Sequence, residues 1–494
     1  MKKVTTLILM LFLMVTLSLV AQEEAKKIDF KLNGVYTAWG QFQNDFRLGA
    51  IPYEDHYIVQ MLRLNLAVTY GADIKAVTRM DLGQGWWGVD NVPPSYRGAS
   101  GLFDNKDNNY FLHVDQAFLW FNFHPISTAF TIGRFNWSVG NKLIIDNNYD
   151  GISADVKINE NNLRLGWAKI SEGQASISDY DAGTALPYGN NDPLDANLFL
   201  ASFNAKFSTT NLEIYGMYYN DAGYNDSTAF NIDGLNYNRP RFTPQITSLG
   251  VFGIAGTSKL DKLTLTYEAN YLMGKDDIDN QTHAGFLNTS DGSKTDALKY
   301  DINNGDLSGY NVYLKMNYAV SDVVTLGLVG GMGSGDDDPT KGEGNVNKLR
   351  TAGFFNLTEV WEDSIMPDEE GITPQGLGAP NVRAYRELEN TTAIQANALF
   401  KITPKWNFFT SFTYLKATQP IYAWTAAGPD LTKSADDIGM EIDFKTNYKI
   451  YDKLTLSFMG GYFIPGTGAQ YLINGNDNND DPAYELKTTI TFAF

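Results

Sequence analysis

The chain holds four histidines, His56, His113, His124 and His283, and no cysteine. Thiol nucleophiles, Cys-ligated zinc and disulfides are therefore excluded. Asp115 follows His113 by two residues. In a strand that spacing puts both side chains on one face, where a carboxylate can orient the ring of a general base. Glu441 and Asp443 share the spacing and come nearest to a glycosidase carboxylate pair. Trp86-Trp87 offers two ring faces for a sugar. Asp336-Asp337-Asp338 and the run from Asn474 to Asp481 supply the oxygen ligands of calcium, although neither matches an EF-hand loop. No H-E-x-x-H, G-x-S-x-G, phosphate-binding loop or dinucleotide fingerprint is present. A barrel lipid hydrolase would need a histidine beside a serine, and only His113 falls within a predicted strand. Structural roles suit these pairs better than catalysis. The expected protein is not an enzyme, and calcium in the acidic loops is the one metal the sequence admits.

The elements that must carry these residues are strands. Ile438, Met440, Ile442, Phe444, Thr446 and Tyr448 alternate with Gly439, Glu441, Asp443, Lys445 and Asn447. Leu263 to Tyr271 and Tyr484 to Phe494 repeat the pattern. A strict period of two marks strands between two different environments. Eighteen such segments tile the chain, from 30–43 to 483–494, among them 405–416 and 435–448. Tight turns, such as Gly71-Ala72, His124-Pro125 and Asp261, alternate with long connections that include 136–149, 334–389, 417–434 and 464–482. Short periplasmic turns and long extracellular loops are what a transmembrane barrel produces. The fold class read from this pattern is all-β: a transmembrane antiparallel up-and-down barrel of about 18 strands. Trp39, Trp86, Trp87, Trp137, Tyr218, Tyr219, Tyr271 and Trp406 sit near strand ends, where interfacial aromatic girdles belong.

Met1-Lys2-Lys3, the apolar run Leu7 to Val15 and the small residues Ser18 and Ala21 have the layout of a secretory leader, cleaved after Ala21. The expected organisation is a signal peptide at 1–21 and an outer-membrane barrel at 22–494. No later stretch approaches the ~20 apolar residues of a spanning helix. A mean hydropathy of -0.26 fits a large barrel, which shows lipid only alternate residues.

Charge separates the loops from the wall. The 494 residues include 38 Lys+Arg and 57 Asp+Glu, a formal net charge of -19, which argues against a nucleic-acid partner. Much of the excess acid lies in loops 274–306, 334–389 and 464–482. The polar strand faces instead carry Lys31, Arg63, Lys75, Arg79, Lys157, Arg164, Lys206, Lys315, Lys401, Lys445 and Lys487, against Asp73, Asp81, Asp155, Glu213, Glu268, Glu441, Asp443 and Glu485. The lumen is thus mildly basic within an acidic protein. Arg63, Arg79, Lys157, Arg164, Lys206, Lys315, Lys401 and Lys445 are the candidate solute path, because a basic mouth concentrates anions. The alternative is that these bases pair with wall acids on neighbouring strands and only stiffen the sheet.

The stretch Thr131-Ile132-Gly133-Arg134-Phe135, then Gly140, Ile144 to Asn148 and Asp150-Gly151, resembles a segment of alginate-export-type outer-membrane porins. Asp437 to Asp443, continuing through Tyr448 to Phe463-Ile464-Pro465-Gly466, is similar to a segment near the end of such proteins, and the terminal Phe494 resembles the aromatic last residue of outer-membrane barrels. The resemblance implies an eighteen-stranded barrel with a basic lumen, passing an anionic polysaccharide outward. The leading expectation is a passive channel in the bacterial outer membrane for hydrophilic, anionic solutes, with export of an anionic oligo- or polysaccharide as its sharpest form. A general small-solute porin and a structural or adhesive barrel are the alternatives. Expected partners are outer-membrane lipid and lipopolysaccharide, the solute itself, and periplasmic secretion proteins.

Overall fold

The computed structural model describes residues 28–52, 54–87, 112–171, 196–221, 248–276, 305–335, 344–345, 357–365, 388, 390–425 and 428–494. The leader expected at 1–21 lies outside them.

Eighteen strands make one closed wall. In chain order they are β1 (Ile28–Asn44), β2 (Glu54–Tyr70), β3 (Ile74–Trp86), β4 (Leu112–Phe123), β5 (Thr128–Ser138) and β6 (Asp146–Ile158). Next come β7 (Asn161–Ser171), β8 (Ala196–Lys206), β9 (Thr210–Asp221), β10 (Ser248–Leu260), β11 (Leu263–Asp276) and β12 (Gly305–Ala319). The last six are β13 (Val324–Gly333), β14 (Thr391–Thr403), β15 (Trp406–Thr425), β16 (Gly428–Tyr451), β17 (Leu454–Pro465) and β18 (Ala483–Ala493). Each pairs antiparallel with its neighbours in sequence, and β1 closes on β18 from Val35 opposite Ala493 to Asn44 opposite Tyr484. A two-residue bridge, Gly344–Asn345, lies parallel to β12. Closure leaves the wall without an edge, so its backbone groups bond to one another.

The two faces differ as alternation demands. Phe252, Ile254, Tyr271, Ile442, Ile490 and Phe492 are exposed on the outer face, while Glu268, Asn270, Glu441, Asp443 and Glu485 are buried on the inner one. An apolar outer surface on a closed antiparallel barrel is the construction of bacterial outer-membrane proteins, and this chain is one. Short turns such as Asp261 (φ 53), between the paired Leu260 and Leu263, lie at the end that carries both chain termini. That end is the periplasmic one by the rule that the short connections face the periplasm.

Three expectations are corrected. The segment 417–434 is not a loop: β15 and β16 run on as a ribbon until only 426–427 separate them. The ribbon keeps pairing because its inner face is apolar: Ala417, Ile421 and Ala423 are buried in a core cluster, with Ala435 packed against it. The register of that ribbon shifts between Leu415 and Lys416, again before Ile421, and between Tyr422 and Ala423. Second, Ile438 is fully buried, not on the outer face with Met440. The bulge turns at Gly439 (φ +143), where a Cβ would stand 2.3 Å from the Ile464 carbonyl oxygen. Third, Trp87, Tyr218, Tyr271 and Trp406 are exposed as a girdle requires, but Trp137 is 2% exposed inside the barrel. Its Nε1 donates to the Tyr149 carbonyl at 3.2 Å. Glycine makes the room: a Cβ at Gly166 or Gly151 would come within 2.5 Å or 2.7 Å of the Trp137 ring. Tyr219 packs against the same cluster, and Trp39 pairs with buried Val59 on the inner register.

Two apolar clusters fill the end of the barrel away from the termini. One gathers Trp137, Val139, Ile144 and Ile145 against Leu198, Met217, Leu249 and Leu272 of β8 to β11. The other packs Phe46, Leu48, Val360, Trp361 and Ile365 against Leu415, Ile438 and Phe463, together with the helix α1 (Thr467–Asn474). Helix residues 468 to 473 are all buried, and Gly475 (φ +74) ends the helix by donating its N–H to the Tyr471 carbonyl at 2.9 Å. Long connections therefore turn inward here. The periplasmic half keeps a polar inner face, with contacts such as Asn447 to Asn407 at 3.0 Å and Ser457 to Asn447 at 2.6 Å.

Candidate functional site: the basic lining of the lumen

The eight candidate residues all lie on inner-face registers, but they divide into two chemical groups. Arg63 on β2 makes two 2.6 Å hydrogen bonds to Asp81 on β3 and an ion pair to Asp115 on β4 at 3.4 Å. Arg79 pairs with the same Asp115 oxygen, Oδ2. Asn148 donates to Asp115 at 2.6 Å and accepts from Gln116 at 2.8 Å. The belt forms because β3 and β4 slip register between Arg79 and Met80, which leaves Asp115 as the extra, inward residue of a bulge. Arg164 belongs with this group: its Nε donates to Asp155 at 3.2 Å, beside Asn162 at 2.8 Å.

The lysines are built differently. Lys157 pairs with Asn162, Lys206 with Asn211, Lys401 with Asn407, Lys315 with Thr266 and Val329, and Lys445 with Phe409 and Met459. None of these neighbours is an acid, so the ladder offers no counter-charge across the strand. Among the described residues no carboxylate stands within ion-pair distance of these five ammonium groups. They ring the periplasmic half from β6 to β16. Pairing thus holds for the three arginines, while the five lysines remain open to the lumen.

Sequence reading missed three members. Lys259, opposite Thr264, and Lys449, opposite Thr455, continue the same inner registers beyond the expected strand ends. Following the alternation two residues further would have found both. Asp115, expected as a partner for His113, instead has its carboxylate occupied by Arg63, Arg79 and Asn148.

The remaining carboxylates anchor backbone. Glu441 accepts the N–H groups of Val360 at 2.6 Å and Trp361 at 2.9 Å, while Asp443 accepts from Ser411 at 3.1 Å. Both oxygens of Glu441 face backbone amides, an arrangement that leaves no place for a glycosidic bond between the two acids. On the opposite wall Glu213 accepts the Gly140 N–H at 3.0 Å, and Glu268 accepts that of Asn141. In the run 474–481, Asn474 donates to the Arg47 carbonyl at 3.1 Å and Asn476 to the Asn474 carbonyl at 2.8 Å. Among the described residues no group of three or more His, Cys, Asp or Glu side chains converges on a metal position. Asp336 to Asp338 lie outside the described residues.

No protein-family model matches the chain, and no curated protein matches it. Solved structures do. The barrel superposes on Pseudomonas aeruginosa OccK8 (OprE) with a TM-score of 0.50, covering 94% of this chain and 98% of that one at 12% identity. P. aeruginosa OpdQ follows at 0.49 and 11%, and OccK1 (OpdK) at 0.49 and 10%, with the same coverage. At this identity the likeness is one of fold. It corrects the resemblance to alginate-export-type porins: the barrel shared along nearly the whole chain is that of OccK8 (OprE). The residues behind that resemblance have local roles. Gly133 and Arg134 pair with Gly151 and Asp150, Gly151 makes room for Trp137, and Gly439 and Glu441 form the bulge and the anchor.

Proposed function

We propose that this outer-membrane barrel is a passive, non-enzymatic channel for small hydrophilic solutes, and that it favours anions over cations. The observation that carries the reading is the ring of lysines, Lys157, Lys206, Lys315, Lys401 and Lys445, on a polar inner face with no carboxylate in reach among the described residues. Unpaired ammonium groups in a confined tube with low-dielectric walls raise the local concentration of anions and lower the barrier to their entry. Arg63 and Arg79 extend this path, but with their charge largely balanced by Asp81 and Asp115. A polyanion conduit would call for a continuous basic lining through both halves. Here the apolar clusters occupy the far half, which suits small solutes better.

The test is conductance of the purified barrel in a planar bilayer across a potassium chloride gradient. A steady current that reverses on the chloride side of zero is the expected outcome. A barrel that carries no current under any gradient is not a channel, and a cation-side reversal removes the lysines from the path.

A further inference from the structure

Residues 357–365 lie against the inner wall of the lumen from β14 to β18, tied there by Gln395 at the Leu357 carbonyl, by Glu441 at the Val360 and Trp361 amides and by Glu485 at Ser364. Their turn, Trp361–Ile365, is seated on β16 to β18. Val360, Trp361 and Ile365 are fully buried, and the Trp361 ring stacks on Phe463 of β17 with centroids 4.9 Å apart. Apolar contact fixes the depth of the segment but not its direction. Direction comes from Glu441, whose two oxygens take the adjacent Val360 and Trp361 amides. A carboxylate that accepts two charge-assisted hydrogen bonds from successive amides fixes their orientation as well as their position. A second tie lies one turn on, where the Ser364 hydroxyl donates to Glu485 at 2.5 Å. Between these two acids the wall carries Gly461, opposite Asp443 on one side and Glu485 on the other. A Cβ at that position would stand 2.7 Å from the Val360 side chain and 2.5 Å from Asp443. Glycine is thus the socket for Val360, and Glu441 is the latch above it.

We propose that Glu441 is the positioning residue that sets the bore of the channel, by pinning 357–365 against the inner wall through the Val360 and Trp361 amides with Gly461 as their socket. The proposal rests on the channel reading above for its functional consequence, but its structural half stands alone. Glu441 then contributes to size selection. The lysines contribute to charge selection, and the two properties separate by mutation.

Two readouts test it. Because the chain has no cysteine, Val360→Cys introduces a single thiol. In the otherwise native barrel that thiol is expected to resist a water-soluble maleimide. Adding Glu441→Gln, which presents an amide N–H where an acceptor stood, is expected to abolish the protection. The second readout is bilayer conductance and liposome swelling with neutral sugars of rising size. Glu441→Gln is expected to raise the unit conductance and admit larger sugars, with the reversal potential little moved. Gly461→Ala, which alters no charge, is expected to shift both in the same direction by crowding Val360 out. Heat-modifiable migration verifies that each variant is a folded barrel, and where Glu441→Gln is not, Gly461→Ala decides. Continued protection of the thiol together with an unchanged sugar cut-off in a folded variant overturns the proposal. If the native barrel carries no current, the channel reading fails, while loss of thiol protection still upholds the latch. A thiol that stays protected in a conducting, folded variant sinks the latch alone.

Discussion

The arginine belt on β2 to β4 and the lysine ring on β6 to β16 carry charge of one sign on the same inner face, yet they are different devices. Arg63 is tied to two aspartates and its side chain is 26% exposed, whereas Lys445 faces Phe409 and Met459 across the ladder. A guanidinium in bidentate contact is oriented and electrically balanced, so it stiffens the wall. A lysine without a partner keeps its field for whatever passes. The position of a base on the lumen face does not settle its role, because the neighbouring strand decides whether its charge is answered.

Four measurements break or sharpen this contrast. The largest effect is expected on stability from the belt. Asp81→Ala removes the bidentate partner of half-buried Arg63 and should lower barrel stability by about 2–3 kcal/mol, read by urea unfolding in detergent or lipid. Lys315→Gln with Lys445→Gln should cost stability little, and a loss equal to that of Asp81→Ala would erase the distinction. Next in size is charge selection. The triple change Lys157→Gln, Lys315→Gln and Lys445→Gln should move the reversal potential most of the way toward zero, and an unmoved potential would take these lysines out of the solute path. Third, the anion preference should shrink between 0.1 M and 1 M salt, as the screening length falls from ~10 Å to ~3 Å. A preference that ignores salt would point to geometric selection in place of the open ammonium groups. The smallest effect is expected from the neutral exchange Arg79→Gln with Asp115→Asn, which removes a base and its answering acid together. Its reversal potential should stay near that of the native barrel, and a large shift would mean that Arg79 acts on solutes despite its pairing.

Much of the wall was legible because a strand between lipid and lumen must alternate. Glu441, Asp443 and Lys445 show their inward face in one line of sequence, and the even residues from Met440 to Tyr448 show the outward one. The eighteen strands follow from that pattern, and so do the inner-face positions of all eight candidate bases. The pattern gave no warning at Ile438 or at Asp115. Both sit at register shifts, and a bulge is a property of two strands pairing, not of either strand alone. The inward place of Trp137 escapes the pattern for a related reason. An aromatic near a strand end reads the same whether it faces lipid or lumen, and only Gly151 and Gly166 on neighbouring strands open the inner space for it.

The amino-acid order by itself determined a closed β wall in an outer membrane, apolar outside and basic-tinged within, because each residue's face is fixed by parity along its own strand. Tertiary structure alone decided which charges remain unanswered and which segments fold into the lumen. Those outcomes depend on partners distant in sequence, as Arg63 depends on Asp115 and Val360 on Glu441. No local period encodes a meeting between strands and loops that only closure of the barrel brings together.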